Sequence, residues 1–528
     1  MNLLRAASGR LIPDKRFSDA TRWQTQAWQA RRPLAVQVCP DRHQLSLRDV
    51  LPEATLVGAG DVEVRGCVCD SRRVELGDLF VALPGTRCDG HDFVAEAVHR
   101  GCSAIVSERP LPELGVAVCL VNDSRAAFGR LCQELAGNPS RQLKIIGVTG
   151  TNGKTTTSCL IARMFKNAGM KVGLLGTLGY FDGESCDDSS LTTPPANQLA
   201  DYFCRMVGNE CSHAVMEVSS HALAQSRLAG VELDAVCVTN VCRDHLDYHR
   251  TIENYRLAKA RIFEHLSPEG ISVLNADDPV SAALLSRIDG PVLTIGIHAA
   301  AEITGMLIER HASEQTFLLT AGDDTIPVRT RMIGTHHVYN CLEAAAIGLA
   351  HGLDLPTVVR GLESVEYIPG RLQRIECGQP FGVFVDYAHT PDAISGSLRA
   401  LRGVVEGRLI CVFGAGGDRD REKRPLMGHA AEQDADVVVL TSDNPRSEDP
   451  RAILGDLLSG FECPAGAQII VDRKEAIHAA LAMARQGDCV LIAGKGHEQT
   501  QIIGDERYPM DDHEIASLWL YENLPLQV

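Results

Sequence analysis

The chain is 528 residues long, enough for about three or four domains with full cores. It is 45% hydrophobic and 23% charged with a net charge of −17, which argues against nucleic acid or an anionic membrane as its main partner. No apolar run reaches membrane-span length, and the 18 cysteines include no C-x-x-C pair, so membrane insertion, zinc knuckles and a disulfide framework are all disfavoured.

Residues 1–44 carry eight Arg or Lys against three Asp and show no apolar period. They read as a disordered extension, with an organelle transit peptide as the less favoured alternative. There is no apolar core of a secretory signal, so a cytoplasmic protein is expected, its cysteines serving as small core residues.

Residues 45–142 alternate short strands and helices: strand 77–85, helix 93–101, strand 102–107 and helix 124–137. Asp70-Ser71-Arg72 falls between strand-like runs, where a surface turn is the default reading. Asn138-Pro139-Ser140 closes this small α/β domain.

A second domain, 143–370, opens on the stretch around which the chain is organised, KIIGVTGTNGKTTT (144–157). An apolar strand breaks into a glycine turn, and Lys154 and Thr155 then open a helical run. Backbone N–H groups and the positive helix end suit phosphate, Lys154 supplies a point charge, and the Thr155 hydroxyl suits Mg²⁺. Val148 stands where the strict phosphate-loop pattern has its first glycine. Further on, 171–177, 213–217 and 233–241 read as buried strands of a parallel sheet covered on both faces. LTTPPANQ (191–198) reads as a helix start with two hydroxyls. Thr155, Glu217 and His245 fall at strand carboxyl ends, where ligands gather, and could hold Mg²⁺ against phosphates.

The spacing predicts a helix over 251–266 with Ile252, Tyr255, Ile262, Phe263 and Leu266 as its buried stripe. Lys259 points into that same face. Such a lysine pairs, snorkels out, or loses its charge and becomes able to form a carbamate with CO₂; from pattern alone snorkelling ranks first. In 334–350 a glycine turn opens a helix, and Asn340 near its start either reads an adenine edge or caps the helix.

The third domain, 371–528, repeats one arrangement: strands 382–386, 409–414, 436–441 and 488–494 each run into a polar loop. That is a second doubly wound α/β domain with its site at the strand ends. GAGGDRD lacks dinucleotide-fingerprint spacing, so a NAD site is discounted.

Taken together, GVTGTNGKTTT, EVSSHAL, TNVCRDHLDYH, YRLAKARIF, GGDRDREKRP, DNPRSEDP and GKGHE resemble the Mur ligases, in order, over residues 46–528. The resemblance implies three α/β domains: a small N-terminal one for the UDP substrate, a central P-loop-type ATPase domain, and a Rossmann-like C-terminal one for the incoming amino acid. It implies an ATP-dependent amide ligase that adds meso-diaminopimelate to UDP-N-acetylmuramoyl-L-alanyl-D-glutamate through an acyl phosphate, in peptidoglycan precursor synthesis. Lysine-adding or folylpolyglutamate-type ligases are the nearest alternatives, and a non-ligase ATPase a more distant one. A monomer acting on small molecules is expected.

By motif match, Gly150, Thr151, Asn152, Gly153, Lys154, Thr155 and Thr156 would wrap the ATP phosphates, with Asn340 and Arg371 completing the nucleotide site. Thr155 and Glu217 would hold one Mg²⁺, and His245 with Lys259 the second. Here the resemblance reverses the ranking for Lys259 and favours the carbamate, so that Lys154, Glu217, His245 and Lys259 become the catalytic set. Ser71 would contact the uridine nucleotide; Thr192, Thr193, Ser219, Gln225 and Arg227 would hold the muramoyl dipeptide. Arg419, Asp443, Asn444, Pro445, Arg446, Gly494 and Glu498 would bind diaminopimelate. Arg446 suits a bidentate clamp on its far carboxylate, with a surface salt bridge as the bland alternative. Three departures stand out: His336-His337 in place of an aromatic or His followed by Asn, Ala415 for a usual Cys, and Thr86-Arg87 in a variable uridine-side loop.

Overall fold

The computed structural model describes residues 45–85 and 88–523. The extension 1–44 and the Thr86-Arg87 loop therefore lie outside the described residues.

Three large sheets follow one another along the chain, with a two-stranded ribbon near each end of the described residues. The first orders its strands Thr55–Val57, Ala117–Leu120, Ala104–Ser107, Leu79–Val81 and Cys67–Val68, parallel except for the first pair. Apolar clusters cover both faces, the larger one including Phe128 and Leu131 of helix Ser124–Leu135.

The central sheet has 11 strands built around Lys144–Thr149, which is flanked by His213–Glu217 and Leu233–Val238. From Val172–Gly176 across to Ile303–Arg310 the neighbours are parallel, and the central apolar runs, from Val172–Gly176 to Leu233–Val238, are buried on both faces by two large clusters. The sheet is nevertheless mixed. Hairpins at 179–187 and 303–330 add antiparallel strands at its two ends. This corrects the expectation of a purely parallel sheet. The strands of the second hairpin alternate between buried and half-exposed positions, and such half-buried pairs need no covering helix.

The third sheet has 6 strands, with Gly382–Asp386, Cys489–Ala493, Leu409–Phe413 and Val437–Leu440 parallel at its centre and apolar clusters on both faces. Among the described residues no helix is long and apolar enough to cross a membrane.

Two helix expectations change. The run over 251–266 is α-helical only through Ile252–Ala260 and tightens to a 3₁₀ segment, Arg261–His265, before the long strand Leu266–Asn275. Helix Ala196–Gly208 begins behind Pro195 with no side-chain cap, so the hydroxyls of Thr192 and Thr193 do not start it.

Candidate active site

The carboxyl end of the buried Lys144–Thr149 strand feeds directly into the phosphate loop. Gly153 has a φ of +90°, and a Cβ there would lie 2.6 Å from Asn340 Oδ1, so both backbone hand and space require glycine. Helix Lys154–Asn167 follows, its first amides facing a cavity of about 470 Å³. Lys154 Nζ donates to Gly150 O (2.9 Å) and Thr151 O (3.0 Å), which curls its ammonium over the loop. Burial pulls its pKa below the ordinary lysine value, against the pull of Glu217 and Asp244.

Thr155 Oγ1 donates to Glu217 Oε2 at 2.9 Å. Glu217 also accepts from Thr177 N (2.8 Å) and Thr177 Oγ1 (3.0 Å), which fixes its carboxylate at the mouth of the phosphate loop. Among the described residues no three His, Cys, Asp or Glu side chains form a ready metal cage. A hydroxyl and a carboxylate side by side are the hard-oxygen set that Mg²⁺ shares with phosphate oxygens. The donor chemistry therefore fits.

Lys259 does not snorkel. It is 3% exposed and sits behind the phosphate loop, where its Nζ donates to Gly150 O at 2.6 Å and lies 4.8 Å from the Tyr255 ring centre. Burial, and then the Lys154 ammonium, hold its pKa well below the usual lysine value. The short helix around Lys259 turns its stem inward, so the head group cannot reach water. His245, in the left-handed backbone region at φ +53°, places its ring beside Asp244 (3.3 Å), and burial lowers its pKa to about 3 despite that carboxylate.

Asn340 sits within helix Thr335–Ala350 and does not cap it; Gly334 holds that position. Its Oδ1 accepts from Thr157 Oγ1 at 3.4 Å, so it braces the phosphate-loop helix from behind. His337, 2% exposed, lines the cavity with both ring nitrogens buried and without a hydrogen-bond partner. Burial keeps it neutral, with one donor and one acceptor to offer.

Arg371 crosses from the third sheet to the central one: its Nη2 donates to Thr155 Oγ1 at 2.9 Å, and its guanidinium lies 4.7 Å from the centre of the Tyr387 ring. Tyr387 and His389 line the same cavity and were not singled out from the sequence, since an aromatic beside a strand end carries no signal of its own.

Thr193, Ser219, Gln225 and Arg227 form one cluster. Arg227 donates to Gln225 Oε1 (2.7 Å) and Thr193 O (2.7 Å), and Thr193 Oγ1 donates to Ser219 Oγ (3.2 Å). Thr192 joins through Thr177 Oγ1 at 3.4 Å. Ser71 is apart from the cavity. It is 5% exposed and donates to Glu96 Oε2 at 2.7 Å, so the expected surface turn, a 3₁₀ turn capped by Asp70 with Arg72 and Arg73 exposed, turns this one side chain inward.

In the third sheet the loop after Val437–Leu440 carries Asp443, Asn444, Pro445 and Arg446. Arg446 is half-buried, holds φ +51° and donates from Nη1 to Gly417 O at 2.7 Å. It makes no surface salt bridge. Arg419, from the facing loop, likewise has no carboxylate within 4.0 Å, and after burial its charge is the main influence lowering the pKa of Arg446. Asn444 Nδ2 donates to Glu498 Oε2 (2.8 Å). Gly494 lies against Asp443: a Cβ there would meet Asp443 Oδ2 at 2.7 Å. Lys495, fully buried, ties the loops together through Asn444 Oδ1 (3.2 Å), Glu498 Oε2 (2.9 Å) and Thr500 O (2.7 Å). A lysine directly after an apolar strand was the available signal for it.

Residues 63–134, 148–348 and 370–496 match, in turn, the models of the Mur ligase family catalytic domain, the Mur ligase middle domain and the Mur ligase glutamate ligase domain. A UDP-N-acetylmuramoyl-L-alanyl-D-glutamate–2,6-diaminopimelate ligase of Geobacillus thermodenitrificans is 43% identical over 473 residues, covering 88% of this chain and 96% of the relative. The chain belongs to the Mur ligase family. A solved structure of a Mur ligase, a UDP-N-acetylmuramoyl-L-alanyl-D-glutamate–2,6-diaminopimelate ligase, superposes with a TM-score of 0.64 at 33% identity, covering 90% of this chain and 99% of that one. The MurF ligase of Thermotoga maritima, solved in complex with ADP, shares the fold at a TM-score of 0.58 and 21% identity, over 82% and 94% of the two chains.

Proposed function

We propose that this chain is an ATP-dependent amide ligase that joins meso-diaminopimelate to UDP-N-acetylmuramoyl-L-alanyl-D-glutamate. The choice of amine is carried by one observation: Arg446 and Arg419 both lie beside Gly416, where an added Cβ would stand 3.0 Å from Arg446 Nη1 and 3.8 Å from Arg419 Cγ, and neither makes an ion pair among the described residues. Two guanidiniums without an ion pair, Arg446 half-buried and Arg419 exposed at the loop rim, are a site for a carboxylate, and the far carboxylate is what diaminopimelate has and lysine lacks.

The rest of the site supports activation of a carboxyl group. A carboxylate is a poor electrophile, so its oxygen attacks the ATP γ-phosphorus, the bond to the β-phosphate oxygen breaks and ADP leaves; the neutral amine then attacks the acyl phosphate carbonyl, phosphate leaves and the amine gives up a proton as the amide forms. Lys154 and the loop amides gather the phosphates, and Arg371 adds a second cation from the opposite wall. Thr193, Ser219, Gln225 and Arg227 hold the acceptor carboxyl near Glu217. His337 offers its free donor and acceptor to the purine edge. Thr155 and Glu217 would hold one Mg²⁺ and His245 with a carbamylated Lys259 the other; bound metal supplies charge neutralisation between the anionic reactants. The low pKa of Lys259 favours the neutral amine that carbamate formation requires.

The purified full chain with the UDP-dipeptide, ATP and Mg²⁺ tests this. A UDP-tripeptide product by mass spectrometry with meso-diaminopimelate is expected. Product with lysine in its place, or phosphate release without product, would overturn the assignment.

A further inference from the structure

The N-terminal domain holds a pair of thiols that the ligase chemistry does not use. Cys67 Sγ and Cys132 Sγ lie 3.7 Å apart. Cys67 is half-buried on Cys67–Val68, a two-residue edge strand paired only with Leu79–Val81. Cys132 is buried on helix Ser124–Leu135.

That helix docks the N-terminal sheet onto the central domain. Gly129 lies so close to Ala229 that an added Cβ would stand 2.8 Å from Ala229 O, and Asp123, at the helix start, accepts from Ser226 Oγ at 3.1 Å. The edge strand, in contrast, leads within four positions to Ser71.

We propose that Cys67 and Cys132 are a reversible oxidation site, whose disulfide pulls the edge strand onto the docking helix, displaces Ser71 and weakens binding of the uridine-diphosphate substrate. The effect on binding rests on the function proposed above; the thiol pair does not.

The oxidant is a hydroperoxide such as H₂O₂. The sulfur of Cys67, the more accessible of the two, attacks the peroxide, the O–O bond breaks, and a sulfenic acid and water form. Cys132 sulfur then displaces hydroxide, which leaves as water with the Cys132 proton. Two thiols and one H₂O₂ thus give one disulfide and two waters. Closing from 3.7 Å to a disulfide length of about 2.05 Å moves the sulfurs by roughly 1.7 Å. A two-residue edge strand yields more readily than a helix wedged between two domains, so the movement passes to the turn holding Ser71 and its bond to Glu96.

The test treats the full chain with H₂O₂, blocks free thiols with iodoacetamide and maps the peptides. A Cys67–Cys132 crosslink is expected, reversed by dithiothreitol and absent from Cys67→Ser and Cys132→Ser. With it, KM for the UDP-dipeptide rises roughly fivefold, the worth of about one hydrogen bond, while KM for ATP stays put. Both thiols remaining alkylatable, or a Cys67–Cys69 link forming instead, would overturn the proposal, as would a crosslink that leaves KM for the UDP-dipeptide unmoved. A crosslink in a protein whose reduced form does not bind the UDP-dipeptide would uphold the oxidation site and overturn the substrate assignment.

Discussion

Burial raises the Glu343 carboxyl to a pKa of about 8, although Thr157 Oγ1 donates to it at 2.7 Å. Between the ordinary value of 4.5 and about 8 the folded chain keeps a proton that the unfolded chain releases. Stability is therefore lost as pH rises through that window. Glu343→Gln removes the titration and leaves an acceptor for Thr157. Its melting temperature should exceed that of the parent at pH 8 and converge with it near pH 5; a constant difference at both values would show that Glu343 does not titrate there. Arg446 makes the complementary case, because its value lies in shape as well as charge. Arg446→Lys keeps the cation but loses the planar fork, and KM for diaminopimelate should rise about tenfold or more, with KM for ATP unchanged. Equal rises in both constants would place Arg446 outside the amino-acid site.

At the scale of elements, the phosphate-loop helix is held from behind by close helix packing. Gly361, on helix Leu355–Glu363, would place a Cβ 2.8 Å from Met164 Cα, a backbone atom that cannot swing aside. Gly361→Ala should push helix Lys154–Asn167 toward the cavity, costing about 1–3 kcal/mol in stability and raising KM for ATP. A denaturant titration together with ATP kinetics checks both; lost stability with an unaltered KM would mean that the helix start does not follow its middle. The same elements show what could be read from residues alone. The Lys144–Thr149 strand, its glycine turn and the following helix were legible because apolar run, breaker and helix formers agree locally. The burial of Lys259 was half legible: helical spacing placed it on the inner face, but spacing cannot show that the helix ends at Ala260 and leaves no path to water. The hairpin over 303–330 was not read, since half-buried alternating strands beside a parallel sheet carry a weak periodic signal. The role of Asn340 depends on a neighbour distant in sequence, Thr157, which no local pattern supplies.

In the whole molecule, the central and third sheets meet across a joint rich in half-buried, neutral imidazoles. His389 is an example: its Nδ1 lies 2.7 Å from Tyr387 O, and the groups facing it are Lys423, Asp244 and Arg371. Burial first, and then the Lys423 charge, lower its pKa from 6.5 to about 4, with Asp244 pulling the other way. His245 and His497, at about 3, are shifted in the same direction for the same leading reason. Between about 6.5 and 4 the unfolded chain binds protons that the folded joint refuses, so stability falls as pH drops through that window and levels off below it. His389 alone accounts for on the order of 2 kcal/mol of the loss between pH 7 and pH 5. Exposed pairs across the same joint, such as Arg243–Glu422 at 2.7 Å, are worth well under 1 kcal/mol and cannot offset it. Glu343 takes up its proton over the same span and pulls the other way, so the difference is what decides: in urea titrations at pH 7 and pH 5, His389→Gln, which keeps a donor for Tyr387 O, should lose on the order of 2 kcal/mol less than the parent. An equally steep fall in the variant would move the acid sensitivity to the other imidazoles and leave His389 without a part in it.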